Sequence, residues 1–255
     1  MASGGAAGAA VELPPRVAVA RRTIQRVVGL LGADRCCLSF NGGKDSTVLF
    51  HLLREALPET YRQVRYVYFE QRNEFPEVEL FIQRMADEYA IKLLRLKGSF
   101  KEGLSQLLDG TGVQCIFIGT RRSDPHGGSL ATLAMTSESW PNCIRAHPIL
   151  EWEYADVWDY LLRSNLPYCE LYDLGYTSLG STLDTVPNEA LLRADGSYAA
   201  AHELTDGSLE RANRVGREPF GKRAAAALGK LPWQTVGLLM AGVALGMFTG
   251  RRLAR

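Results

Sequence analysis

The sequence predicts an α/β fold: a parallel sheet with helices on both faces, followed by a C-terminal candidate transmembrane helix. Three observations lead there. Strands and amphipathic helices alternate from Val17 onward, a glycine-rich turn joins the first strand to the next helix, and an uncharged stretch runs from Leu231 to Gly250 between basic flanks. Alternation at this spacing means right-handed βαβ crossovers and a sheet whose strands are buried on both faces.

A helix is expected over 17–31, then a short apolar strand from Arg35 to Phe40. After Gly43, Val48, Leu49, Leu52, Leu53 and Ala56 share one helical face. Val64–Phe69 reads as a strand, and Pro76 opens a helix at its first turn, where a missing N–H costs nothing. The stripe of that helix is Val78, Phe81, Ile82, Met85 and Tyr89. Ile91–Leu96 is a strand, 99–109 a helix, and Gln114–Ile118 an apolar run suited to a buried central strand. The stretch 120–150 reads as irregular, and connections of that length tend to be functional or disordered. A last amphipathic helix carries Tyr154, Val157, Trp158, Leu161 and Leu162, and irregular chain follows to about 210.

The 255 residues carry 29 Lys plus Arg against 28 Asp plus Glu, a net charge of +1. That balance hides an asymmetry. Residues 211–255 hold nine cations against the single acid Glu218, leaving 20 against 27 for the rest. A body so acidic is a poor nucleic-acid surface, because phosphate contacts need clustered cations, and no nucleic-acid partner is expected. Cys36, Cys37, Cys115, Cys143 and Cys169 are scattered, without a C-x-x-C pair, and read as reduced thiols and not a zinc site.

The strongest local signal is Ser39-Phe40-Asn41-Gly42-Gly43-Lys44-Asp45-Ser46-Thr47. It follows the first strand and opens a helix, the place where α/β sheets bind ligands. The glycines let the backbone approach phosphate oxygens, and the helix N-terminus supplies N–H groups and a positive dipole end. Asn41 and Asp45 are candidate holders of a metal ion that neutralises a polyphosphate. The string is not a Walker A loop, since its glycines are adjacent and precede the lysine. A bland alternative, a strand–turn–helix joint capped by Asp45 and Ser46, does not require both glycines, the lysine and two hydroxyls together. His51, one turn further on, reads as a packed or surface histidine.

The string resembles the pyrophosphate loop of the adenine nucleotide α-hydrolase superfamily, whose members cleave ATP between its α- and β-phosphates. The form with Asn before the glycines is similar to the eukaryotic FAD synthase (FMN adenylyltransferase) branch, related in fold to phosphoadenylylsulfate reductases. Gly119-Thr120-Arg121-Arg122-Ser123-Asp124-Pro125 is similar to that branch's flavin-contacting G-T-R-R-T-D-P. The run from Trp140 and Pro141 through Arg145 to Pro148, Ile149 and Leu150 resembles its W-P-x-x-x-R-x-x-P-L-L. Leu209-Glu210-Arg211-Ala212-Asn213-Arg214 resembles L-E-R-A-G-R, whose arginines hold phosphates. In the stretch Tyr168–Ser181, Ser181 stands where the reductases have a cysteine, so a thiol-dependent reductase would lack its nucleophile.

The resemblance implies a Rossmann-like fold and the reaction FMN plus MgATP giving FAD and pyrophosphate. It implies an ATP site at Ser39, Phe40, Asn41, Gly42, Gly43, Lys44, Asp45 and Ser46, with Mg2+ held by Asn41 and Asp45. Arg121, Asp124, Trp140 and Arg145 would bind the flavin, and Arg211 and Arg214 the phosphates. Two readings compete: another adenylating enzyme of the superfamily, acting on a sulfur compound or tRNA, and a non-catalytic membrane-tethered flavin carrier. An intact pyrophosphate loop argues against the carrier.

The expected organisation is a disordered segment 1–16, a catalytic domain 17–215, a basic linker 216–230 and the candidate span 231–250. Twenty residues at about 1.5 Å each reach across a bilayer core. The span would tether the enzyme to a membrane, with the domain facing the cytosol at an organelle's outer surface. Flavoprotein clients are conceivable recipients of the product.

Overall fold

The computed structural model describes residues 14–125 and 127–215. The first helix, α1 (Pro15–Leu31), begins two residues before the expected start. Pro15 sits at its first position, and the N–H of Val17 donates to the carbonyl of Pro14 (2.9 Å). Pro15 and Arg16 are therefore helical and not part of a disordered leader, and Arg16 forms an ion pair with Asp156.

The chain continues through β1 (Cys36–Ser39), α2 (Lys44–Ala56), β2 (Arg65–Phe69), α3 (Pro76–Glu88), β3 (Leu93–Leu96), α4 (Phe100–Thr111) and β4 (Cys115–Phe117). Then come β5 (Leu133–Met135), β6 (Ile144–Ala146) and α5 (Tyr154–Arg163), followed by short 3-10 turns. The sheet order is β3-β2-β1-β4-β6-β5. All neighbours are parallel except β5, which pairs antiparallel with β6 at one edge. The sheet is thus mixed, and the stretch 120–150 contributes two strands where none was expected.

Two cores follow from this winding. One face buries Leu38, Phe40, Tyr66, Tyr68 and Phe117 against α1, α2, α3 and α5. The other buries Cys37, Val67, Ile116 and Cys143 under Leu104 and Leu107 of α4. The changeover occurs between β1 and β4: the chain winds outward from β1 to β3, then crosses back to β4 on the other side of β1. In open α/β sheets this reversal leaves a crevice beyond the carboxyl ends of the two strands. The expected phosphate loop follows β1, and the Gly119–Pro125 segment follows β4. All five cysteines are free and buried.

The expected membrane-spanning component of the fold class is corrected. No helix among the described residues is long and apolar enough to cross a membrane, and the segments 216–230 and 231–250 lie outside the described residues. The fold established is the α/β domain alone.

Candidate active site

The loop after β1 is closed by its own side chains. The N–H of Phe40 still donates to Val67 in the neighbouring strand (2.8 Å), so the turn starts at Asn41. Gly42 has φ +72°, and a Cβ there would sit 2.9 Å from Cγ1 of Ile82 on α3, so both backbone and space exclude a side chain. Asn41 Oδ1 accepts the N–H of Gly43 (3.1 Å) and lies 2.8 Å from Ser46 Oγ. Thr47 Oγ1 donates to the Gly43 carbonyl (3.0 Å). The first amide of α2, Lys44 N–H, donates to the hydroxyl of Tyr172 (2.8 Å).

Beneath the loop lies a cluster of alternating charges. Lys44 is 2% exposed and Arg121 fully buried. Both meet the carboxylate of Glu210, itself only 6% exposed: Nζ of Lys44 binds one oxygen and the Arg121 guanidinium the other. Lys44 also lies 3.2 Å from Asp45 Oδ2, and Arg121 Nε is 2.7 Å from Asp45 Oδ1. Burial alone would push the Asp45 carboxyl up, but the Lys44 and Arg121 charges outweigh it and hold the group below the ordinary carboxylate range. Burial would likewise lower Lys44, and Asp45 and Glu210 reverse that. For Asp124 burial wins and raises the carboxyl, although the Arg121 N–H opposes it. Burial and then the Asp45 charge keep the Tyr172 phenol protonated.

Asp124 Oδ2 accepts the backbone N–H of Arg121 (2.8 Å), closing the turn after β4. Its other oxygen lies 3.7 Å from the guanidinium of Arg211, which is 44% exposed at its side chain. Arg122 does not face the loop: it pairs with Glu151 and donates to the carbonyls of Gly128 (2.9 Å) and Leu130 (3.2 Å), stapling its own segment. Arg214 is committed to the 178–184 loop, where it meets Ser178 Oγ (3.2 Å), Asp184 (3.4 Å) and the carbonyl of Leu179. A Cβ on Gly180 would overlap the Arg214 guanidinium.

Trp140 and Arg145 lie apart from this cluster. They line a cavity of about 130 Å3 with Phe100, Leu104, Ile116 and Ile118, on the face of the sheet covered by α4. Phe100 meets the indole edge-on at 5.8 Å, and Arg145 donates to the Met135 carbonyl (3.1 Å). A flat ring with polar edges suits such walls, one aromatic and one cationic.

The expected phosphate ligand Arg214 is instead held in the 178–184 loop, and the expected flavin set is split, because Arg121 is fully buried and paired with Asp45 and Glu210 and does not line the cavity. The other expected site residues fall into two groups. Asn41 to Ser46, Asp124 and Arg211 meet at the crevice, while Trp140 and Arg145 sit at the cavity. Ser39 ends β1 and the buried Phe40 supports the loop from below. Ser181 keeps a buried hydroxyl without a partner, and its neighbour across an isolated bridge is Glu74. Glu210, Tyr172 and Asp184 were not singled out from sequence. The first two lay inside recognised motif segments, and a carboxylate next to an arginine pair was the available signal. Among the described residues no group of three or more His, Cys, Asp or Glu is arranged to hold a metal. Asp45 is nonetheless a partly buried carboxylate whose two oxygens face Lys44 and Arg121, and Asn41, on the same loop, adds a hard amide oxygen that accepts the Gly43 N–H. These hard oxygen donors would suit a magnesium ion otherwise held by water and substrate phosphates.

A doubly wound sheet with a glycine loop at its reversal point defines an α/β domain of the class that binds its ligand in the crevice beyond the strand ends. The chain matches the phosphoadenosine phosphosulfate reductase domain family over residues 35–103 and 99–187. A probable FAD synthase of Schizosaccharomyces pombe is 39% identical over 83% of this chain and 83% of its own length. A probable FAD synthase of Caenorhabditis briggsae is 37% identical over 80% of this chain, which spans 41% of that longer protein. Among solved structures, the Candida glabrata FMN adenylyltransferase in complex with ATP superposes with a TM-score of 0.74 at 26% identity, covering 80% of this chain and 88% of that one. The chain belongs to the FAD synthase family, the FMN adenylyltransferases of the phosphoadenosine phosphosulfate reductase fold.

Proposed function

We propose that the chain transfers the AMP moiety of MgATP to the phosphate of FMN, giving FAD and pyrophosphate. The observation that carries this reading is the joining, at one crevice, of the N-G-G-K-D-S loop with the Gly119–Pro125 turn and the Arg211 segment. A phosphate monoester with its second pKa near 6 is largely dianionic at neutral pH, so its oxygen needs no general base. That oxygen attacks the α-phosphorus of ATP, a new P–O bond forms, the α–β bridging bond breaks and pyrophosphate leaves with the electron pair. The protein's part is alignment of the two phosphates and stabilisation of charge.

The loop backbone at Gly42 and Gly43 receives the β- and γ-phosphates at the N-terminus of α2, whose dipole favours the leaving anion. Arg211, with an exposed guanidinium, reaches the reacting phosphates. Asn41 and Asp45 would hold Mg2+ brought in with the triphosphate, and the ion supplies charge neutralisation. Trp140 and Arg145 take the isoalloxazine at the cavity, and Asp124 holds the turn between the two regions. Parallel reactions with [α-32P]ATP and [γ-32P]ATP test the transfer. The α label is expected to appear in FAD and the γ label in pyrophosphate. Label from [α-32P]ATP reaching AMP alone, or an acceptor other than FMN, would overturn the assignment.

A further inference from the structure

We infer that Glu210 is the positioning residue that docks the C-terminal arginine segment onto the phosphate loop and thereby places Arg211 at the reacting phosphates. The inference deepens the AMP-transfer reading and rests on it. Glu210 lies in the turn after Leu209, and its carboxylate is the side chain of this segment that reaches α2. It bridges Lys44 Nζ and the Arg121 guanidinium, two cations with almost no exposed surface. Neither cation is open to an incoming phosphate in this arrangement. Their charges are spent on Glu210 and Asp45 and serve to hold the segment down.

The backbone on the other side of Glu210 is fixed as firmly. Its carbonyl accepts from Thr177 Oγ1 (2.7 Å), and Asn188 Nδ2 donates to both Thr177 Oγ1 and the Leu209 carbonyl (2.9 Å each). Pinning Glu210 inward turns the next residue outward. Arg211 is the exposed cation that results, 3.7 Å from Asp124. Arg214, three residues on, is taken up by Ser178, Leu179 and Asp184, which leaves Arg211 as the arginine of the pair with free donors. A buried carboxylate shared by two buried cations is costly to break, so its removal acts on the geometry of whatever it anchors.

The test is a double-mutant cycle on the full chain with Glu210→Gln, Arg211→Ala and the pair, read in two ways. Steady-state FAD synthesis gives KM for ATP and for FMN, and calorimetry gives the Kd of magnesium pyrophosphate without turnover. Glu210→Gln and Arg211→Ala are each expected to raise the ATP KM and the pyrophosphate Kd roughly tenfold, with the FMN KM moved less than twofold. The double variant should be no worse than Arg211→Ala alone. Glu210→Asp, which keeps the charge, should recover most of the loss. Thr177→Val, which releases the same segment from its far side, should shift the same constants in the same direction and serves if Glu210→Gln does not fold. Multiplying effects, or a fall in kcat with both KM values unchanged, would overturn the positioning role. A wild-type chain that binds pyrophosphate with the expected coupling but makes no FAD would overturn the AMP-transfer reading instead.

Discussion

The Asp124 carboxylate spends one oxygen on the Arg121 amide and turns the other toward Arg211. Asp124→Ala opens the turn and removes the countercharge, so kcat/KM for FMN should fall at least tenfold, about 1.4 kcal/mol of transition-state stabilisation. Varying each substrate in turn checks this, and an effect confined to the ATP KM would contradict the placing of Asp124 between loop and flavin. At Gly180 an added methyl has no space beside Arg214. Gly180→Ala should therefore expel the guanidinium from the 178–184 loop and lower the melting temperature, whereas a melting curve like that of the wild type would show the loop yielding instead. His51 carries a different liability. It is fully buried with both ring nitrogens unpartnered, and burial first, then the Arg54 charge, push its pKa down to about 3. The ring is thus neutral in the folded chain and titrates near 6.5 in the unfolded one, so stability is full above about pH 6.5 and is lost as pH falls toward 3. At pH 5 that loss is about 2 kcal/mol. His147, pushed down to about 4 by burial and the Arg145 charge, adds to the same window. Denaturant titrations at pH 7 and 5 should show the acid loss shrinking in His51→Leu, and an unchanged difference would contradict it.

Helices were the most legible elements because each carries its own boundary chemistry. Pro76 opens α3, and Ser99 caps α4 in a reciprocal box: Ser99 Oγ accepts the Glu102 N–H (3.2 Å) while the Glu102 carboxylate accepts the Ser99 N–H (2.9 Å). Ser99→Ala should cost about 1 kcal/mol of unfolding free energy, measured by denaturant titration. A larger cost would place the cap's importance in the cavity, because Phe100 is the residue that follows it. Strands β1 to β4 were readable from their apolar runs, whereas β5 and β6 were not. Each has only three residues, too short for a periodicity to show, and Leu133 and Met135 are about half exposed on an edge strand, so no buried face marks β5. β6 is placed by its parallel pairing with the distant β4, which no local pattern encodes, and β5 then folds back antiparallel onto β6.

At the scale of the whole molecule, the site divides into what one segment carries and what the winding of the sheet assembles. The phosphate loop was legible because glycines, lysine, acid and hydroxyls are contiguous. Glu210 and Tyr172 touch Lys44 from 166 and 128 residues away, and nothing in the spacing announces those contacts. The motif segments containing them were recognisable by resemblance, but the inward role of Glu210 and the outward one of Arg211 follow only from the folded turn. The charge asymmetry of the sequence acquires a partial physical meaning here: Arg211 and Arg214, the first two cations of the basic C-terminal stretch, belong to the catalytic domain and balance its acids. The most direct test of the account is the yield of the full chain given MgATP with FMN or with riboflavin, FAD measured by chromatography and pyrophosphate by a coupled assay. FMN is expected to give FAD and pyrophosphate in equal amounts, and riboflavin neither, because the attacking atom is the FMN phosphate oxygen. Pyrophosphate released without FAD, or equally with riboflavin, would contradict AMP transfer to FMN.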